Sequence, residues 1–317
     1  MLYDDFRAMN SHLLLGAEGE AEQVEAGFKA VRAFIAASEA RFTRFSEDSE
    51  LSQLNRTAGG WFIASNDLFE VVQLARRLMD QTCGLFDPSI MGALQRAGYD
   101  RSIDEIRAAG ARASAAAPES WATERPQAFT GVTFKPEWHA IHLPAGTQID
   151  LGGIAKGWIA EQAAIILGRY ASACAVSAGG DLFVYGLPQG DGFWPIALED
   201  PRDPDKTVAV LQVRDGGLAT SSITLRRWVQ DGRERHHIID PRTGEPAVTD
   251  WLSVTVVAPH TATAEAFAKA ILIAGTAQAQ ALADRVAGIE FIGIKQDGSL
   301  WGSRHARELL DVTGEIV

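Results

Sequence analysis

Apolar residues recur at helical spacing from Glu20 to Phe45, where Val24, Phe28, Val31, Ile35 and Phe42 mark one face of a long helix. Before it, residues 5–16 read as a single strand whose apolar part is His12-Leu13-Leu14-Leu15. Ser49 can start a short helical turn that holds Leu51 and Leu54. A second helical pattern begins at Asp67, a capping residue, and runs to about Thr82 with Leu68, Val71, Val72 and Leu78 inward. Gly84-Leu85-Phe86-Asp87-Pro88 breaks it. Residues 98–126 are rich in Ala, Arg, Ser and Glu, with Pro118 and Pro126, and read as a helical excursion and a connector.

The middle of the chain carries a sharper pattern. Ala140-Ile141-His142-Leu143 alternates as a strand, Asp150-Leu151-Gly152-Gly153 forms an acidic-glycine turn, and a helix follows to Leu167. Ala155, Ile159, Ala163 and Ile166 make its apolar stripe, and Gly168 suits its end. Strands are expected at about 171–176, 182–185, 194–199, 207–213, 225–229, 235–239 and 251–258. Helices are expected at 261–273 and 277–285, and 289–294 with 300–301 closes as a hairpin. Strands outnumber helices and often follow one another directly, which predicts an α+β fold of mainly antiparallel sheets with packed helices.

Composition narrows the function class. The chain has 317 residues, 46% of them hydrophobic, and a net charge of -12 with the acidic residues spread out. That length permits two lobes and a large core. No basic cluster can neutralise a phosphate backbone, which argues against a nucleic-acid partner. Cys83 and Cys174 lie far apart, outside any C-x-x-C, and are expected to be reduced, buried thiols. The first residues lack a basic start and an apolar run, and no window approaches a membrane span, so a cytoplasmic location is expected.

Several positions are candidates for chemistry. Gly152 and Gly153 remove side chains where a helix begins, so a ligand can approach the backbone. Lys156 sits in the first helical turn, the wrong end for a cation facing the helix dipole. A phosphate bound there would remove the conflict; the alternative is a glycine cap with a solvated lysine. Ser177 and Gly179 fall short of a nucleophile elbow, because a strand rather than a helix follows. His236 and His237 are neighbours on a strand and point to opposite faces, so one of them can serve as a general base. Glu265 and Lys269, four apart with the acid first, read as an exposed helix-face ion pair. Asp87, before Pro88, caps a turn or faces a ligand.

The order of these motifs resembles that of the FAD:protein FMN transferases, the flavin transferase family also called thiamine-biosynthesis lipoproteins. The likeness runs from about Phe6 to Ile294. It rests on Met9-Asn10-Ser11 where the family has Met-Gly-Thr, on Ser49-Glu50-Leu51 to Asn55, on Gly84 to Pro88, and on Asp150 to Gly157. Gly179-Gly180-Asp181, Ala219-Thr220-Ser221 and His237 to Gly244 follow in the family order. The resemblance implies a flavin-transferase, T-fold-like architecture: one two-lobed domain over residues 1–317, with a variable connector at about 98–126. It implies transfer of the FMN unit of FAD to a Thr or Ser hydroxyl of a target flavoprotein, with release of AMP. The alternatives are an FAD pyrophosphatase and a non-catalytic FAD-binding protein.

The resemblance also implies site residues. Met9, Phe45, Leu85, Phe86, Asp87, Asp150, Lys156 and Ile239 are expected to line the FAD site, with His237 or Asp240 accepting the hydroxyl proton. Backbone amides near Gly152 and Gly153, with Lys156, can hold the pyrophosphate. The family binds a divalent metal, usually magnesium, through a carbonyl at the Gly153 position and an Asp and a Thr four residues apart. Those last two places hold Glu265 and Lys269 here. Glutamate can still ligate, whereas a protonated lysine cannot and would repel the ion. Lys269 is therefore expected to occupy the charge position of the metal, paired with Glu265 or touching the pyrophosphate.

Overall fold

A computed structural model describes residues 1–108, 128–190 and 192–310. The chain divides into two compact units: one comprises Met1–Glu39, Ile154–Ser222 and Asp250–Val317, the other Ala40–Gly153 and Ile223–Thr249. The connector expected at 98–126 lies outside the described residues beyond 108.

The first unit is built on an eight-stranded sheet in which every neighbouring pair is antiparallel. Its order is Leu2–Ala8, Ser11–Glu18, Ala173–Ala178, Asp181–Tyr185, Gly216–Ser222, Trp251–Ala258, Glu290–Lys295 and Leu300–Gly302. The helices Ala155–Leu167 and Thr261–Ala274 pack on the sheet and on each other. A hairpin of Trp194–Asp200 and Asp203–Val213 puts Trp194, Leu198 and Leu211 into one buried cluster with Leu182, Val184 and Leu218. Leu182 and Val184 alternate along their strand with Asp181 and Phe183, so Asp181 points to the opposite face from that cluster.

Two local readings are corrected here. Residues 5–16 are not one strand: Leu2–Ala8 and Ser11–Glu18 form a hairpin about Met9 and Asn10. Both turn residues have positive φ, 53° and 52°, as a tight hairpin turn requires, and Met is an unusual occupant of that region. The strand Gly216–Ser222 was not expected at all, because Gly-Gly-Leu-Ala-Thr-Ser-Ser has almost no strand-forming bulk. Its smallness is a packing requirement: a Cβ on Gly217 would stand 2.3 Å from the Thr261 nitrogen.

The second unit holds a three-stranded sheet, Trp61–Ile63, Ala140–His142 and Thr133–Lys135, with Ala140–His142 in the middle. The helix Asn66–Gln81 is capped by Ser65 rather than Asp67: the Ser65 hydroxyl accepts from the Leu68 amide at 3.3 Å, while Asp67 lies in the first turn. Cys83, expected to be buried, is exposed in the turn after that helix with φ 55°, whereas Cys174 is buried. Met91–Arg96 and Ile103–Ala108 are short helices whose Leu94, Ile103 and Ile106 join Tyr99, Trp228 and Ile239 in a buried cluster. The strand expected at 235–239 is broken, with Arg233–His236 pairing Arg227–Gln230 and Ile239–Asp240 pairing Glu245–Pro246.

Candidate active site

In the first unit the chemistry converges on the start of the helix Ala155–Leu167. Every residue of Thr261–Ile273 is buried except Lys269, which is partly so. The expectation of an exposed Glu265–Lys269 pair is therefore wrong. Glu265 is 1% exposed and the Lys269 side chain only 19%. A helix buried nearly all round leaves Glu265 no route to water and Lys269 only a narrow one, and periodicity reports a shared face without reporting what covers it.

Glu265 is the hub of a four-group cluster. Its Oε1 accepts from Lys269 Nζ at 3.1 Å and also from Lys156 Nζ. Its Oε2 accepts from the Gly157 amide at 2.9 Å. Lys156 Nζ also lies 2.5 Å from Asp181 Oδ2, and Asp181 is buried. Glu265 thus supplies the anion that the helix start and Lys156 require, and it comes from the chain itself. Burial raises the Glu265 pKa, but Lys156, Lys269 and the hydrogen bonds outweigh it and hold the carboxyl at about 2. Asp181 is pushed up to about 6 by burial and by the nearby Glu265 charge, with the lysines pulling the other way. Burial lowers the Lys269 pKa against the pull of Glu265.

The second unit carries a separate cluster around Asp150. Asn55 clamps the preceding residue with two bonds, donating to the Ile149 carbonyl and accepting from its amide, each at 2.9 Å. Asp150 itself donates its amide to the Pro88 carbonyl at 2.8 Å. Its Oδ1 accepts from Gly152 N–H at 2.9 Å, and its Oδ2 lies 3.6 Å from Arg44 Nε. Arg44 lies over the rings of Phe45 and Tyr99, 4.6 and 5.0 Å from their centroids, and donates to the Tyr99 carbonyl. Tyr99 stacks on Trp228, and its ring centre is 6.4 Å from that of His237. Phe45, Asp150 and His237 are thus linked through Arg44 and Tyr99, two residues that the sequence reading did not single out.

Other candidates fall nearby in sequence but differ in role. Asp87 is buried, and its Oδ1 caps the turn by accepting from the Ser89 amide and hydroxyl at 2.8 and 2.7 Å. Leu85 and Phe86 are buried, while Phe45 is half exposed. Ile239 is buried beside Tyr99 and Trp228. Asp240 is held by Arg242, whose Nε and guanidinium tip bond the two carboxylate oxygens at 2.9 and 2.7 Å. His236 bonds the Ala247 carbonyl through Nε2, and burial lowers its pKa. Met9, in the first unit, donates its amide to Glu39 at 2.7 Å.

The chain shares its fold with solved ApbE proteins. It superposes on the ApbE protein of Thermotoga maritima with a TM-score of 0.82 at 23% identity, covering 98% of this chain and 100% of that one. It matches the flavin transferase ApbE of Vibrio cholerae at 0.77 and 22%, covering 98% and 99%. The chain belongs to the ApbE family, whose model matches residues 11–292. A protein of Treponema pallidum named FAD:protein FMN transferase is 29% identical over 306 residues, 87% of this chain and 79% of that protein. A Klebsiella pneumoniae protein of the same name is 26% identical, with 92% and 83% covered. The resemblance read from the motifs and the α+β expectation both hold. Among the described residues no helix is long and apolar enough to cross a membrane.

Proposed function

We propose that this protein transfers the FMN moiety of FAD to a Thr or Ser hydroxyl of a target flavoprotein, releasing AMP. The observation that carries the reading is the family match over residues 11–292 together with relatives named FAD:protein FMN transferase over most of the chain. The acceptor oxygen attacks the FMN phosphorus, the bridging P–O bond breaks, and AMP departs with that bridging oxygen. Such a transfer depends on positioning and charge stabilisation more than on covalent chemistry by the protein.

The roles follow from family position. Met9, Phe45, Leu85, Phe86, Asp87, Asp150, Lys156 and Ile239 are each assigned to FAD binding on that ground. Phe45 offers an exposed aromatic face beside Arg44, suited to a flat ring. Lys156 supplies positive charge for the developing phosphate charge. His237 accepts the hydroxyl proton. Asp240 is less suited to that step, because Arg242 already occupies both of its oxygens.

A magnesium ion does not fit the donor set at Glu265 and Lys269. Magnesium requires free oxygen donors in near-octahedral array. Both Glu265 oxygens already accept N–H groups, and Lys269 presents a donor, not a lone pair. No step is routed through a metal. The test incubates the full chain with FAD and a flavin-free acceptor domain carrying one candidate threonine. Equal amounts of AMP and of acceptor heavier by one FMN unit support the reading, with no label on the Thr→Val acceptor. AMP without labelled protein identifies a pyrophosphatase, and intact FAD identifies a binding protein.

A further inference from the structure

The cluster of Lys156, Asp181, Glu265 and Lys269 lies around the start of one buried helix, and its charges cancel when all four groups are ionised. A divalent ion placed beside it would leave two positive charges uncompensated in a region of low dielectric. Glu265 already accepts three N–H contacts and neither lysine offers a lone pair, so the cluster has too few oxygen donors left for such an ion. The site is therefore closed to an ion as built. Yet a pyrophosphate needs cationic charge, and one is present. An ammonium has three N–H donors. Lys269 spends one on Glu265 Oε1, and its side chain keeps 19% of its surface open to solvent.

We infer that Lys269 is a built-in replacement for a divalent cation, so that this chain binds the pyrophosphate of FAD, and transfers FMN, without a metal. The inference rests on the FMN-transferase reading. Glu265 holds the ammonium in place, and its remaining N–H groups donate to anionic phosphate oxygens. Lys156 is more deeply committed, since it faces both Glu265 and Asp181. Lys269 is thus the cation with reach to spare.

The test measures quenching of FAD fluorescence by the full chain, in chelator and in excess magnesium. The expected dissociation constant is the same in both to within about twofold, well below the change expected on losing a charge-assisted contact. Lys269→Met is expected to weaken FAD about tenfold or more, while riboflavin, which lacks phosphate, binds as before. Lys269→Arg keeps the charge and retains chelator-resistant binding. Tight FAD binding only with magnesium overturns the inference and leaves the transferase reading intact. Unaltered FAD affinity in Lys269→Met also overturns it. FAD bound under neither condition sinks the transferase reading itself. Should Lys269→Met fail to fold, manganese binding to the wild-type chain with FAD decides by paramagnetic resonance. Free manganese supports the inference, and one bound ion per chain refutes it.

Discussion

Replacing Glu265 by Gln tests the hub of the buried cluster with little change in shape. The amide oxygen can still accept from Gly157, while the amide NH2 then faces the two ammonium groups, so the substitution removes both the charge and the acceptor that they share. Lys156 and Lys269 then lose the carboxylate they share, and Asp181 is the acid of the cluster that remains. The descent of the Glu265 pKa from its ordinary 4.5 to about 2 corresponds to about 3 kcal/mol at neutral pH. Removing one partner of a buried pair costs about 3–5 kcal/mol in general. Relief of the repulsion felt by Asp181 offsets part of this. A loss of about 3 kcal/mol is therefore expected in urea unfolding at pH 7.5, read by far-ultraviolet dichroism. The pH dependence carries the sign. A carboxyl with a depressed folded pKa contributes stability above 4.5 that disappears as pH falls through about 2. Asp181 runs the other way: its contribution is complete below 3.8 and is lost as pH rises through about 6. The wild-type-minus-E265Q difference should shrink on acidification from 4.5 towards 2, and D181N should flatten the decline between 3.8 and 6. A difference for E265Q below about 1 kcal/mol, flat across this range, would refute the buried-hub account.

Other substitutions probe separate links. Gly157→Ala puts a Cβ 2.8 Å from the Thr261 carbonyl and should cost about 1–3 kcal/mol in thermal unfolding. Asn55→Ala strands the buried Ile149 amide and carbonyl, at about 1–3 kcal/mol for each lost partner, and should weaken FAD because Ile149 precedes Asp150. His237→Gln should slow FMN transfer by about 10²–10⁴-fold with FAD affinity nearly unchanged, as measured by AMP release and by fluorescence quenching. Exposed Cys83 should react with a thiol reagent in the native protein, whereas Cys174, pushed up to about 12 by burial, should react only after unfolding.

Much of this was legible from residues alone, for identifiable reasons. The 21–42 and 66–81 helices bury single apolar stripes, and period 3.6 reads those directly. The glycine-proline breaks at Gly84 and Pro88 terminate structure by local chemistry. What escaped detection depends on partners distant in sequence. Gly216–Ser222 is a central strand whose smallness serves the helix starting at Thr261, more than forty positions away by its numbering. Arg44 reads as an ordinary basic residue after a helix, yet it lies buried against Asp150 and over two rings. No pattern within a local window distinguishes such an arginine from a solvated one.

The central motif illustrates how one stretch can mislead about which of its glycines the fold demands. Gly152 and Gly153 look like the pair that opens the backbone to a ligand. In the structure the Gly152 amide is already used by Asp150, and the strictest steric demand falls on Gly157. Only at Gly157 does the helix approach the Thr261 backbone so closely that no side chain fits. That approach brings Glu265, one turn further along the neighbouring helix, onto the Gly157 amide and the Lys156 ammonium. Glycine and lysine in the motif are thus two halves of one contact. The glycine permits the helices to meet, and the lysine meets the carboxylate that the meeting delivers. Lys269, on the same face as Glu265, gives that carboxylate one of its three N–H donors.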